Sequence, residues 1–155
     1  MGNITCFEEI DAWKESRMLT QAIYRVTCQG NFARDWGLVR QLQESSVSVM
    51  SNIAEGFDGG SKAEFVRFLG YARRSASEVQ SHLYVALDQN YIATHEFTTL
   101  YQRAQTVRKM VTAFIKYLRT QQVNQRGNPR TREPANPIAW QLALALNWLR
   151  WHCAP

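Results

Sequence analysis

Residues 61–90 read SKAEFVRFLGYARRSASEVQSHLYVALDQN, and the spacing of their apolar side chains decides the fold. Phe65, Phe68, Leu69, Ala72, Ala76, Val79, Leu83, Ala86 and Leu87 recur three and four residues apart, the interval that stacks side chains on one face of an α-helix. Ser61 with Glu64 forms a capping box that starts this helix, and Asn90 marks its end. The preceding segment, 35–55, has the same period in Leu38, Leu42, Val49, Met50 and Ile53, with Gly56 where a left-handed C-cap is expected. Earlier still, Phe7, Ile10, Trp13, Leu19, Ile23 and Val26 predict a helix over 8–28, opened by Thr5-Cys6-Phe7-Glu8 as a capping box and stopped by Gly30. Downstream, Thr94 and Glu96 open a fourth helix whose apolar face is Phe97, Leu100, Ala104, Val107, Val111, Phe114, Ile115 and Leu118.

No segment alternates as a strand would, so the fold class is all-α. Four amphipathic helices with connections of a few residues predict an up-down-up-down antiparallel four-helix bundle over residues 5–120. Beyond it, 121–137 has no period and contains Gly127, Pro129, Pro134 and Pro137, which reads as a flexible basic linker. The final segment, 138–155, is apolar nearly all round through Trp151 and is either a helix that docks on a partner or subunit, or an incidental tail that is disordered or folds back on the bundle.

The chain has 155 residues and 17.9 kDa, with 45% hydrophobic and 20% charged residues, enough for one domain with a core and too little for two. No apolar run approaches the roughly 20 residues of a membrane span, so no membrane role and a cytoplasmic location are expected. Cys6, Cys28 and Cys153 are widely spaced and form no CxxC pair, which argues for reduced thiols and against a zinc site. Gly56-Phe57-Asp58-Gly59-Gly60-Ser61-Lys62 has Ser before Lys between two helices, the reverse of a phosphate loop. Glu78 and His82 stand four apart on one helix, but His95 and His152 offer no matching carboxylate–histidine set, so no metal and no cofactor are expected. Serines at 45, 46, 48, 51, 75, 77 and 81 lack the Gly-x-Ser-x-Gly elbow, and an enzyme is the least favoured class.

The net charge of +5 conceals an asymmetry. Residues 1–96 carry 9 Lys/Arg against 12 Asp/Glu, whereas 97–155 carry Arg103, Arg108, Lys109, Lys116, Arg119, Arg126, Arg130, Arg132 and Arg150 against Glu133 alone. A cationic block of this kind attracts polyanions. At about 100° per residue from Arg103, the apolar centre of the fourth helix lies near about 60°, with Arg108, Arg119, Lys116 and Lys109 at about 140°, 160°, 220° and 240°. These four cations are expected on the solvent face with no acid nearby in sequence to neutralise them. Arg103, Arg126, Arg130 and Arg132 extend the candidate phosphate-binding set, and the excess of arginine suits bidentate phosphate contact. No recognition motif accompanies them, so RNA or DNA would be held by its backbone.

Two further polar stripes flank the core faces. Gln41, Ser45, Ser48, Asn52 and Glu55 form one, and Arg67, Tyr71, Arg74, Glu78 and His82 the other, with Arg74 and Glu78 spaced as an ion pair. Ser45, Ser48, Asn52, Glu55, Arg67, Tyr71, Arg74 and Glu78 are therefore candidates for an oligomer interface. An intramolecular hydrogen-bond network that fixes helix register is the competing reading.

Phe7-Glu8-Glu9-Ile10-Asp11-Ala12-Trp13-Lys14, Ile23-Tyr24, Asn52-Ile53-Ala54-Glu55-Gly56-Phe57, Phe68-Leu69-Gly70-Tyr71-Ala72-Arg73-Arg74-Ser75-Ala76-Ser77-Glu78-Val79 and Tyr91-Ile92 carry a resemblance. Over residues 7–119 they resemble the four-helix-bundle family first noticed in intervening sequences of bacterial large-subunit ribosomal RNA genes. That family is similar to the accessory proteins of diversity-generating retroelements, which form pentameric barrels and bind nucleic acid and a reverse transcriptase. The resemblance implies a non-catalytic homo-oligomeric ring, a pentamer, serving such a polymerase. It assigns no individual cation to nucleic acid. The alternative is a structural or protein-interaction bundle whose basic end meets an acidic protein.

Overall fold

A computed structural model describes residues 4–126 of the chain, with side chains through Thr120. Among the described residues there are four α-helices and no strand: α1 (Asp11–Thr27), α2 (Trp36–Asp58), α3 (Lys62–Asp88) and α4 (Thr94–Arg126), with short 3-10 turns at Phe7–Glu9 and Phe32–Arg34. The all-helical expectation holds, and each apolar stripe read from the sequence is the face that is buried. Leu19 and Ile23 of α1, Leu42, Val49 and Ile53 of α2, Leu69, Val79 and Leu83 of α3, and Val107 and Val111 of α4 are all fully buried in one core. Each such side chain removed from water contributes about 1.5–3 kcal/mol.

Contacts between helices fix their directions. Thr20 Oγ1 donates to the Ser46 carbonyl at 3.1 Å and Gln43 Nε2 to Thr27 Oγ1 at 2.9 Å, so α1 ascends as α2 descends. Likewise Tyr84 packs on Phe97 at 4.9 Å while Phe65 packs on Phe114 at 5.2 Å, which makes α3 and α4 antiparallel.

The helix ends differ from the sequence expectation in three places. Thr5 meets Glu9 rather than Glu8, its amide donating to Glu9 Oε2 at 2.8 Å and its hydroxyl to Oε1 at 3.2 Å. They close the 3-10 turn, so α1 begins only at Asp11. Gly56 is no C-cap. It lies inside α2, which runs on to Asp58, and the glycine with positive φ in the turn that follows is Gly60 at 79°. What Gly56 provides is closeness: a Cβ there would stand 2.7 Å from Phe68 Cβ and 2.9 Å from Phe65 Cδ2. Finally, α4 continues to Arg126, past the end of its apolar stripe. The remainder of the expected linker and the apolar segment 138–155 lie outside the described residues.

The other caps follow their chemistry. Ser61 accepts from the Glu64 amide at 3.1 Å, and Glu96 Oε2 accepts from the Ala93 amide at 2.8 Å. Asp35 caps α2 by accepting from Leu38 N at 3.0 Å. Its charge also reaches Tyr91, whose phenol is pushed above its usual range by burial first and by Asp35 second. Tyr91 in turn stacks on the buried Phe32 with ring centroids 5.0 Å apart. Asp35→Ala should therefore cost about 1 kcal/mol in denaturant unfolding, the typical loss of an N-cap. An unchanged midpoint would mean that the cap contributes nothing.

Candidate nucleic-acid interface on α4

The cations of α4 fall into two classes once the other helices are in place. Lys109, Lys116 and Arg119 are exposed, and no carboxylate comes within ion-pair distance of them among the described residues. They agree with the helical arithmetic, since all three lie more than about 90° from the apolar centre. A surface cation in this setting keeps its charge available for exchange of counterions with phosphate.

Arg103 and Arg108 correct the expectation of a uniformly free cationic face. Arg103 Nη1 donates to Glu15 Oε1 of α1 at 2.7 Å, with both side chains about three-quarters buried, so a carboxylate from another helix neutralises it. No acid lies near it in sequence, and only the packing of α1 on α4 supplies one. Arg103→Ala should destabilise the chain, and a double-mutant cycle with Glu15→Ala should give a coupling on the order of 1 kcal/mol. A coupling of zero would show that the two charges act independently.

Arg108 is half-buried on the side of α4 that faces α3. Its Nη1 donates to Gln80 Oε1 at 2.7 Å, and its buried Nε has no partner among the described residues. Gln80 sits at the edge of the α3 core stripe, 4% exposed. Sequence reasoning did not single it out, although a glutamine directly after Val79 on a core face is a signal that something polar must meet it. Gln105, Arg108, Lys109, Thr112, Ala113 and Lys116 line an open depression of about 410 Å³ on the outward face of α4, with Arg108 at its edge toward α3. It is a surface groove bearing three cations. The side chain of Arg126 lies outside the described residues, as do Arg130 and Arg132.

The stripes proposed for self-association occupy α2 and α3 as expected but are used differently along their length. Ser45 is buried and its hydroxyl donates to the Gln41 carbonyl at 2.7 Å, while Asn52 Nδ2 donates to the Ser48 carbonyl at 2.7 Å. These bonds return to α2 itself, so they do not form the register-fixing network between helices. Glu55, Arg67, Tyr71, Arg74 and Glu78 are exposed. Arg67 pairs with Glu64 at 3.3 Å and lies over the Phe68 ring, and Arg74 lies over Tyr71 at 5.8 Å. The expected Arg74–Glu78 ion pair is not formed, because the guanidinium turns toward the ring one helical turn back. Among the described residues no three of His, Cys, Asp or Glu come together as a metal site requires, and no helix is long and apolar enough to cross a membrane.

No curated protein matches the sequence. Among solved structures, a protein of unknown function from the S23 ribosomal protein family of Bacteroides thetaiotaomicron is similar in fold, with a TM-score of 0.62 and 21% identity. The match covers 68% of this chain and 98% of that one. The family model described as 23S rRNA-intervening sequence protein matches residues 8–113, a span that holds all of α1, α2 and α3 and most of α4 together with the arginine and lysine pattern up to Lys109. The chain therefore belongs to the 23S rRNA-intervening sequence protein family.

Proposed function

We propose that this chain is a non-catalytic, self-associating protein that binds the phosphate backbone of RNA or DNA along α4. The observation that carries the reading is the set of exposed, unpaired cations Lys109, Lys116 and Arg119 on one helix that presents no exposed carboxylate beside them. Backbone contact of this kind supplies affinity without sequence preference and declines steeply with salt. Membership of a family named for ribosomal RNA intervening sequences supports an association with nucleic acid.

Two finer features complete the proposal. The partner that uses the bound strand is a reverse transcriptase of a diversity-generating retroelement, on the resemblance of the sequence to the accessory proteins of such systems. Copies of the chain associate through the exposed parts of α2 and α3 around Glu55, Arg67, Tyr71, Arg74 and Glu78, with a pentamer as the expected assembly. Binding of a labelled single-stranded RNA at low salt tests the core of the reading, and capture of partners with and without nuclease treatment tests its alternative. Binding that survives nuclease while free RNA is ignored would favour an acidic protein as the partner.

A further inference from the structure

Arg108 is held differently from the ion-paired arginines Arg40, Arg67 and Arg103. Its guanidinium is half-buried, and the group that fixes it is the neutral amide of Gln80, at 2.7 Å, rather than a carboxylate. Arg103, five residues earlier on the same helix, shows the usual solution to a partly buried arginine: an acid, Glu15. A carboxylate cancels the charge that it orients, whereas an amide orients the guanidinium and leaves its full charge in place. Two donors stay unpartnered at this contact, Arg108 Nε and Gln80 Nε2, both buried, with Gln80 only 4% exposed. Arg108 also lines the depression of about 410 Å³ that Lys109 and Lys116 share, and the only hydroxyl on that surface, Thr112, is committed to the Arg108 carbonyl at 2.7 Å. The depression thus offers cations and no anion.

We propose that Arg108 is a fixed phosphate-binding residue for a nucleic-acid strand lying in this depression, with Gln80 as its positioning residue. The inference rests on the nucleic-acid reading above and adds a specific anchor to it. Lys109 and Lys116 stand two turns apart, about 10 Å along the helix. Both follow Arg108 toward the C-terminal end of α4 and act as exposed point charges, while Arg108 presents a guanidinium whose direction is set before the strand arrives. Pre-orientation of this kind raises affinity by reducing what must be ordered on binding.

Two substitutions that keep the side-chain size test this with the full-length chain and a labelled single-stranded RNA. Arg108→Lys keeps the charge and loses the fork, and Gln80→Glu keeps the contact but neutralises it. Each is expected to weaken RNA binding about five- to tenfold, and Arg108→Lys should do so with the slope of affinity against salt unchanged. Helical content of Arg108→Lys should match the parent at the temperature of the binding assay, with a lower unfolding midpoint from loss of the Gln80 contact, which keeps the result readable if a buried glutamate impairs folding in Gln80→Glu. Inorganic phosphate at matched ionic strength should displace RNA only weakly, and strong displacement at submillimolar concentration would assign the depression to a free phosphate instead. Parental affinity in Arg108→Lys, alongside weakened binding after loss of Lys109, Lys116 and Arg119, overturns the anchor and leaves the interface standing. Absence of RNA binding by the parent chain removes both.

Discussion

Gly56→Ala is expected to lower stability by roughly 1–3 kcal/mol, the range for forcing an extra carbon into a packed core. The new Cβ would stand 2.7 Å from Phe68 Cβ and 2.9 Å from Phe65 Cδ2, so α2 or α3 has to move. Movement is not local. Phe65 is packed edge-on against both Phe57 of α2 and Phe114 of α4, at 6.1 and 5.2 Å, and displacing it disturbs both contacts. Alanine would ordinarily be favoured over glycine inside a helix by about 1 kcal/mol, and that gain is available in the same protein at Gly70. Gly70 lies in the middle of α3 with nothing within 4 Å of its would-be Cβ. Gly70→Ala should therefore raise stability by about 0.5–1 kcal/mol while Gly56→Ala lowers it. Chemical denaturation of the two variants decides the matter, and equal stabilisation of both would mean that α2 and α3 do not meet at Gly56.

Lys109→Gln, Lys116→Gln and Arg119→Gln combined should weaken binding of single-stranded RNA by roughly ten- to a hundredfold near 0.1 M salt, as three phosphate contacts are lost. The fold should survive, because all three side chains are exposed and unpaired among the described residues, and such surface changes stay within about 0.5 kcal/mol each. Arg108 is left in place in this variant since its contact with Gln80 joins α4 to α3. A circular dichroism melt equal to that of the parent, with RNA binding lost, is the expected pair of results. Unchanged binding would place the interface elsewhere.

The helices were legible because burial imposes a period on the sequence, and the period of 61–90 excludes a strand there. Helix ends were less so. Gly56 carries the sequence signal of a C-cap, yet a glycine is equally suited to a close approach between helices, and only the position of Phe68 distinguishes the two. The cationic face was partly legible. Lys109 and Lys116 lie roughly opposite the apolar centre of α4 and are exposed, but Arg103 lies only about 60° from that centre, well inside the sector that packs. A charge placed there demands a partner, and the partner, Glu15, is supplied by α1, 88 residues earlier in the chain. Arg108, about 80° from the centre, stands on the boundary and finds Gln80. Periodicity within one helix reports which way a side chain faces, and carries nothing about which side chain of another helix it will meet.

The slope of log affinity against log salt for single-stranded RNA, measured for the parent and for the triple glutamine variant, tests the cationic role of α4 most directly. Each phosphate contact on a single strand contributes about −0.7 to that slope, so removal of three contacts should make it shallower by roughly 2. Parallel lines for the two proteins, or a parent affinity that does not change with salt, would contradict a phosphate-binding surface at Lys109, Lys116 and Arg119.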